Sequence, residues 1–148
     1  RIISYNKHIN KSEITCTKLG FGDVIKHKSD LLKTGILAAK RHTKNDKSYY
    51  THSVEIIEKF VKYTQENNIN ILFFTSPALH SYTENLDNEQ LEMTLKTIKK
   101  ISNQNGNCNY HNFLNDIDFN ANDFNDADHL NPNGARKLSK KLNLMLDN

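Results

Sequence analysis

The sequence predicts an α/β fold with a parallel sheet, and three observations carry the prediction. An unbroken apolar run, Ile71-Leu72-Phe73-Phe74-Thr75, is the kind of strand that a parallel sheet covers on both faces. Segments with apolar residues at helical spacing precede and follow it. A second strand-like stretch from Cys108 to Phe113 comes after the later of them, so helix, strand, helix and strand alternate. The chain has 148 residues, with neither an internal repeat nor a linker composition, and reads as a single domain over 1–148.

Residues 1 to about 28 carry little periodicity. Glu13-Ile14-Thr15-Cys16-Thr17 predicts a short strand, and Gly20-Phe21-Gly22 a turn. From Ser29 a helix is expected, with Leu31, Leu32, Ile36, Leu37 and Ala39 on one broad buried face and an end near Arg41-His42. The polar run Thr43 to Ser48 predicts a loop. The next helix is expected to be capped by His52-Ser53, to bury Val54, Ile57, Phe60, Val61 and Thr64, and to close at Asn67-Asn68.

Ser76-Pro77 ends the strand 71–75, because proline cannot continue the ladder. Leu91, Leu95, Ile98 and Ile101 predict a helix from Asn88 to Gln104, stopped by Asn105-Gly106-Asn107. After Cys108–Phe113 comes a polar loop, then a last helix from Pro132 to Met145. Asn131 suits its N-cap and Pro132 its first position.

Composition narrows the function classes. Hydrophobic residues make up 36% of the chain, and no apolar run approaches the roughly 20 residues that cross a bilayer. The net charge is +3, but the lysines are spread beside Glu and Asp, which predicts a solvated surface and no nucleic-acid partner. The bias to Asn, Lys and Ile resembles that of bacteria with AT-rich genomes. Cys16 and Cys108 stand far apart with no Cys-x-x-Cys spacing; they read as a disulfide pair or as two buried thiols, and not as a zinc site. The chain opens on Arg1 with no signal-peptide pattern, so a piece of a longer protein, or a mature product, is expected.

The chemistry is concentrated in Phe124-Asn125-Asp126-Ala127-Asp128-His129-Leu130-Asn131-Pro132-Asn133-Gly134-Ala135. An aspartate three residues before a histidine, in a loop that runs straight into a helix, suits a general base and its orienting carboxylate. Asp126 can accept the Nδ1–H of His129 and leave Nε2 to take a proton from a nucleophile. Asp128 is the rival carboxylate; adjacent to the ring in sequence, it is expected to point away in an extended loop. The bland reading of the same residues is a surface loop whose aspartate caps a helix.

This block resembles the closing block of the SGNH (GDSL-type) hydrolases, and the resemblance runs from about Glu55 onward, where the strand Ile71–Thr75 ending in Ser76-Pro77 and a loop with Tyr82 before the next helix also look similar to that family. It implies a three-layer α/β/α fold of flavodoxin-like type, incomplete at the N-terminus, in which Asp126 and His129 are the acid–base half of a Ser-His-Asp triad. It further implies a serine esterase or acyltransferase acting on a small-molecule or carbohydrate ester, such as an O-acetylated sugar, with neither metal nor organic cofactor. The family's nucleophile block, Gly-Asp-Ser or Gly-x-Ser, does not occur in the 148 residues, and Gly22-Asp23 is followed by Val24. The serine is therefore expected upstream, and the chain alone is expected to be inactive. An exposed sheet edge is expected too, and with it a tendency to associate. The competing reading is a non-catalytic α/β module that binds carbohydrate or is a degenerate hydrolase.

The remaining candidates read more simply. Ser76 stands at a strand end, but Pro77 lacks the N–H that would serve an oxyanion. Arg41-His42 suits a helix C-terminus, with a ligand carboxylate or phosphate as its functional alternative. His8, His27, His52, His80 and His111 have no ligand spacing. Asp116-Ile117-Asp118 begins like a calcium loop, but Ala121 and Ala127 fall where glycine and a bidentate glutamate belong. Ile117 and Phe119 are expected to anchor that loop to the core.

Overall fold

The computed structural model describes residues 15–16, 22–23, 30–44 and 46–146. The expectations for Glu13, Ile14, Thr17, Gly20, Phe21 and Ser29, for His8 and His27, and for the side chain of Cys16 lie outside the described residues. Strands β1 (Thr15–Cys16) and β2 (Gly22–Asp23) pair antiparallel, so Gly22 belongs to a strand.

Helix α1 (Leu31–His42) is capped by Asp30, whose carboxylate accepts the N–H groups of Leu32 at 3.1 Å and Lys33 at 3.0 Å. Its buried residues are Gly35, Ala38 and Ala39, whereas Leu32, Ile36 and Leu37 are exposed, which corrects the expected face. The reason is the close approach of a short helix, α3 (His80–Thr83). A Cβ on Gly35 would lie 2.5 Å from the Ser81 carbonyl carbon, so the small-residue face turns inward and the larger side chains turn out.

Helix α2 (Ser48–Glu66) starts ahead of the expected cap at His52-Ser53, because the Asp46 carboxylate accepts the Ser48 N–H at 2.8 Å and sets the first turn. Ser53, expected as a cap, lies inside the helix and donates its hydroxyl to the Tyr49 carbonyl at 2.8 Å. The helix ends at Asn67, and Asn68 takes the left-handed conformation with φ 55°. Strand β3 (Ile71–Thr75), helix α4 (Asn88–Gln104, capped by Asp87) and strand β4 (Cys108–Asn112) follow, with β4 one residue shorter than expected. β3 and β4 pair in parallel, in register from Ile71↔Cys108 to Thr75↔Asn112. Among the described residues the mixed α/β fold thus rests on a two-stranded parallel sheet with an open edge on each side.

One core cluster joins Val61 of α2, Ile101 of α4 and Cys108 of β4, with Val54, Ile57, Ile71 and Phe73 packed against it. Helices α2 and α4 therefore cover the sheet face carrying Ile71 and Phe73. Strand alternation places Leu72, Phe74, Asn109 and His111 on the other face. Helix α5 (Pro132–Leu146) borders that face through Met145 and Leu146, near Leu72, Asn109 and His111. Phe74 stays exposed, so β3 is not buried on both faces as its composition suggests.

The second cluster joins Phe113, Phe119, Phe124 and Leu138, with Leu79, Leu130, Leu142 and Met145 around it. Phe119 anchors the 114–123 loop, but Ile117 is 96% exposed and anchors nothing. Cys108 is a free, buried thiol, and burial pushes its pKa up. No helix among the described residues is long and apolar enough to cross a membrane.

Candidate active site

The parallel strands end side by side, and the chain segments leaving them are tied together. Thr75 accepts the Phe113 N–H at 3.0 Å, Leu114 accepts that of Ala78 at 3.1 Å, and Ala127 accepts that of Leu79 at 2.9 Å. The loop carrying Asp126 and His129 is thereby pinned beyond the carboxyl ends of the strands, where open α/β sheets bind their ligands.

The loop is closed on itself before it is pinned. Phe124 and Leu130 form an antiparallel bridge, and Asn125 N–H donates to the His129 carbonyl at 2.8 Å. Asn131 N–H donates to the Asp123 carbonyl at 2.9 Å. Ala127, at the tip, is completely buried. Gly134, in the first turn of α5, lets that helix touch the loop, since a Cβ there would run into the Asp123 carbonyl oxygen and the Leu130 side chain.

Within this turn the His129 Nδ1 lies 2.8 Å from Asp126 Oδ1. The Asp126 side chain is largely buried, while that of His129 is 61% exposed. Among the described residues the Nε2 of His129 has no hydrogen-bond partner, so the outward nitrogen is open to solvent. With Asp126 as acceptor, the neutral ring carries its proton on Nδ1, and Nε2 is left basic.

Asp128 does not point away. Its Oδ1 lies 3.4 Å from the same Nδ1, and its side chain is 9% exposed. The expectation of an extended loop fails because residues 126–129 form a tight turn that folds both carboxylates back toward the ring. Asp126, Asp128 and His129 place their ligand-type atoms within 4.8 Å of one another, close enough to share a cation. In the geometry present, however, Asp126 and His129 already form a hydrogen-bonded pair.

Two residues lie beyond the Leu79 anchor of this loop. Tyr82 on α3 follows Leu79 by three residues, and its hydroxyl oxygen lies 2.8 Å from Nδ1 of His42 at the end of α1. Tyr82 is half-buried; burial first, and then the charge of Asp128, pushes its phenol above the ordinary value. The signal in the sequence was an aromatic residue three positions after a strand-loop leucine, which is visible only once the turn is known.

Ser76 is exposed at the end of β3, and no hydrogen bond among the described residues links it to His129. Arg41 is exposed at the end of α1. The calcium-like loop is filled by lysine. Lys141 Nζ lies 2.9 Å from Asp116 and 2.5 Å from Asp118, and Lys137 Nζ lies 2.5 Å from Asp123. Both ammonium groups also sit over the Phe119 ring. A groove of about 980 Å3 between α2 and α4 is lined by neither Asp126 nor His129. Compared with protein-family models, with curated proteins and with solved structures, the chain matches none.

Proposed function

We propose that this chain is the C-terminal part of an SGNH-like serine esterase or acyltransferase of bacterial type, contributing the acid–base pair of its triad. The observation that carries the reading is the 2.8 Å contact from Asp126 Oδ1 to His129 Nδ1, on a ring whose Nε2 is open to solvent beyond the strand ends. Helices α2 and α4 over one sheet face and the end of α5 beside the other fit the three-layer arrangement that the resemblance implies.

In this reading a serine from sequence preceding these residues attacks an ester carbonyl, and His129 Nε2 takes its proton as the oxygen–carbon bond forms. The resulting imidazolium is stabilised by the Asp126 carboxylate through Nδ1–H. Collapse of the tetrahedral intermediate breaks the bond to the alcohol, which leaves with the proton from Nε2. Water or an acceptor hydroxyl then repeats the sequence on the acyl-enzyme, which separates hydrolase from transferase only by the second nucleophile. No step needs a metal or an organic cofactor, and the substrate class is a small-molecule or carbohydrate ester.

The test is ester turnover by the polypeptide that includes the upstream serine, with acetyl esters as substrates. His129→Ala is expected to lower kcat on the order of a million-fold and Asp126→Asn about ten-thousand-fold. Turnover that survives His129→Ala overturns the reading. Sugar binding without turnover would favour the non-catalytic module.

A further inference from the structure

We infer that Asp128 is a second positioning residue for the base: the Nδ1–H of His129 has two largely buried carboxylates within reach, and Asp128 receives it when Asp126 is removed. The resemblance to the hydrolases assigns only the aspartate three residues before the histidine. The second carboxylate comes from the tight turn at 126–129. Its meaning for catalysis rests on the reading of His129 as a base, whereas the placement of the proton does not.

Two distances to one nitrogen carry the inference. Asp126 Oδ1 lies 2.8 Å from His129 Nδ1, and Asp128 Oδ1 lies 3.4 Å from it. The first is the length of a charge-assisted hydrogen bond, and the second is a close charge contact just beyond that range. A small rotation of the imidazole about its own bonds is enough to exchange them. The carboxylates are largely buried and the ring is mostly exposed, so the ring is the partner with room to move. The turn holds the carboxylates in place. Asp128 N–H donates to Asp126 Oδ1 at 3.4 Å, and the Ala127 carbonyl between the two aspartates accepts the Leu79 N–H at 2.9 Å.

The direction of the bond at Nδ1 is fixed by chemistry. An ionised carboxylate only accepts, so the ring donates whichever aspartate receives. Among the described residues no lysine or arginine pairs with Asp128, and His129 is its one ion-pair partner. A largely buried carboxylate left facing a lone pair is costly. The Nε2–H tautomer would turn the Nδ1 lone pair toward both aspartates, whereas the Nδ1–H tautomer turns a positive hydrogen toward both. The two carboxylates therefore favour the same tautomer, and either one is enough to hold it. When Nε2 takes a proton, the imidazolium gains from both, in a setting where charges interact more strongly than in water.

The measurement is the tautomer of His129 by long-range nitrogen–proton NMR on the full 148-residue chain. It is made at about pH 9, above the ordinary histidine range, to read the neutral ring. The wild type, Asp128→Ala and Asp126→Ala are each expected to hold the Nδ1–H form. The double variant, Asp126→Ala with Asp128→Ala, is expected to lose it and settle to the tautomer mixture of a free imidazole. Asp126→Asn is unsuited to this purpose, since its amide can also donate to Nδ1 and trap the proton on Nε2. In the polypeptide that includes the upstream serine, the same cycle is read as ester turnover. There Asp128→Ala is expected to cost on the order of tenfold more beside Asp126→Ala than in the wild type.

A purely structural Asp128 would lower the melting temperature and leave the tautomer to Asp126 alone. An Asp126→Ala ring that has already lost the Nδ1–H form overturns the inference, and so does a double variant that keeps it. If either Asp126→Ala chain loses its folded spectrum, Asp128→Asn decides, because it keeps the shape of the loop and removes one charge. Faster exchange of the His129 Nδ1 proton with water in that variant supports the inference, and an unchanged rate overturns it. Absent ester turnover would remove the hydrolase reading while leaving the tautomer result standing, so the two failures are separable.

Discussion

Residues 113–146 and the helices α1 and α2 treat their apolar side chains in opposite ways. In the closing segment Phe113, Phe119, Phe124 and Leu138 are all buried together, and polar groups close over them. In α1 and α2, Leu32, Ile36, Leu37, Tyr49, Ile56, Phe60 and Tyr63 are exposed. The closing segment also ties its loop with backbone bonds, an N-cap and lysine–aspartate pairs, whereas Lys47 before α2 makes no side-chain cap. The lesson is that the rigidity of the candidate site is local. It comes from one aromatic cluster under a hydrogen-bonded turn, and the helices at the front of the chain add little to it beyond the α1–α3 contact.

The sharpest way to break this contrast is to truncate one phenylalanine from each region. Phe124 is 6% exposed and sits under the loop, so Phe124→Ala is expected to cost about 3–5 kcal/mol through lost burial and the cavity left behind. Phe60 is 51% exposed, and Phe60→Ala is expected to change stability by less than about 0.5 kcal/mol. Urea unfolding of both variants decides it. Comparable losses would mean that α2 is as much part of the stable unit as the closing loop, and the contrast would fall.

Elements with local signals were legible in the sequence and features set by a neighbour were not, for a physical reason. Strand β3, helix α4 and the cap at Asn131 depend on local signals: an apolar run, a stop at Asn105-Gly106-Asn107, and an N-cap followed by proline. The facing of α1 depends on its neighbour. Periodicity marked a leucine-rich face, but the partner helix α3 is a four-residue element with no signal of its own, and it selects Gly35, Ala38 and Ala39. The same holds in the site. The spacing of Asp126 and His129 suggested their meeting, whereas Asp128 was misplaced because an extended loop was assumed where a tight turn forms. The anchoring of the loop by Leu79, with Tyr82 one turn beyond it, depends on the long-range bond from Leu79 N–H to the Ala127 carbonyl.

The lysine pairs give a second, smaller difference between the regions, and it depends on pH. The Asp123 carboxyl is held below its ordinary value by the hydrogen bond from Lys137, assisted by the Asn120 N–H. Burial alone would raise the Asp116 carboxyl, but the bonds from Lys141 and the Asp118 N–H outweigh it, so this value is lowered too. A carboxyl lowered on folding stabilises the native state above its unfolded value, and that contribution disappears as pH falls through the lower, folded value. The closing segment is therefore expected to loosen below about pH 4, the ordinary aspartate range. Lys137→Met leaves the buried Asp123 without its ammonium partner and is expected to cost about 2 kcal/mol at neutral pH, a partly exposed pair falling below the full cost of breaking a buried one. It is also expected to flatten the acid limb of the stability curve. An acid limb unchanged in the variant would assign the pH dependence to other carboxylates.

The smallest contrast lies between two helix caps. The Asp30 carboxylate accepts two N–H groups at the start of α1 and makes no other hydrogen bond among the described residues. Asp30→Ala should cost about 0.5–1 kcal/mol, an ordinary cap loss. Asn131 accepts the N–H groups of Asn133 and Gly134, and its amide also donates to the carbonyls of Asn122 at 2.7 Å and Phe124 at 3.3 Å. It therefore caps α5 and ties down both ends of the stretch that precedes Asp126. Asn131→Ala should cost about 2 kcal/mol, the upper end of the cap range. Asn131→Asp separates the two roles, since it keeps the cap oxygen and removes the amide donors. Amide hydrogen exchange reads the outcome locally. Faster exchange at Asn125 in both Asn131 variants, with Asp30→Ala silent there, places the restraint on the amide donors. Faster exchange in Asn131→Ala alone would place it on the cap, and the turn that brings Asp126 to His129 would then be held from the helix side.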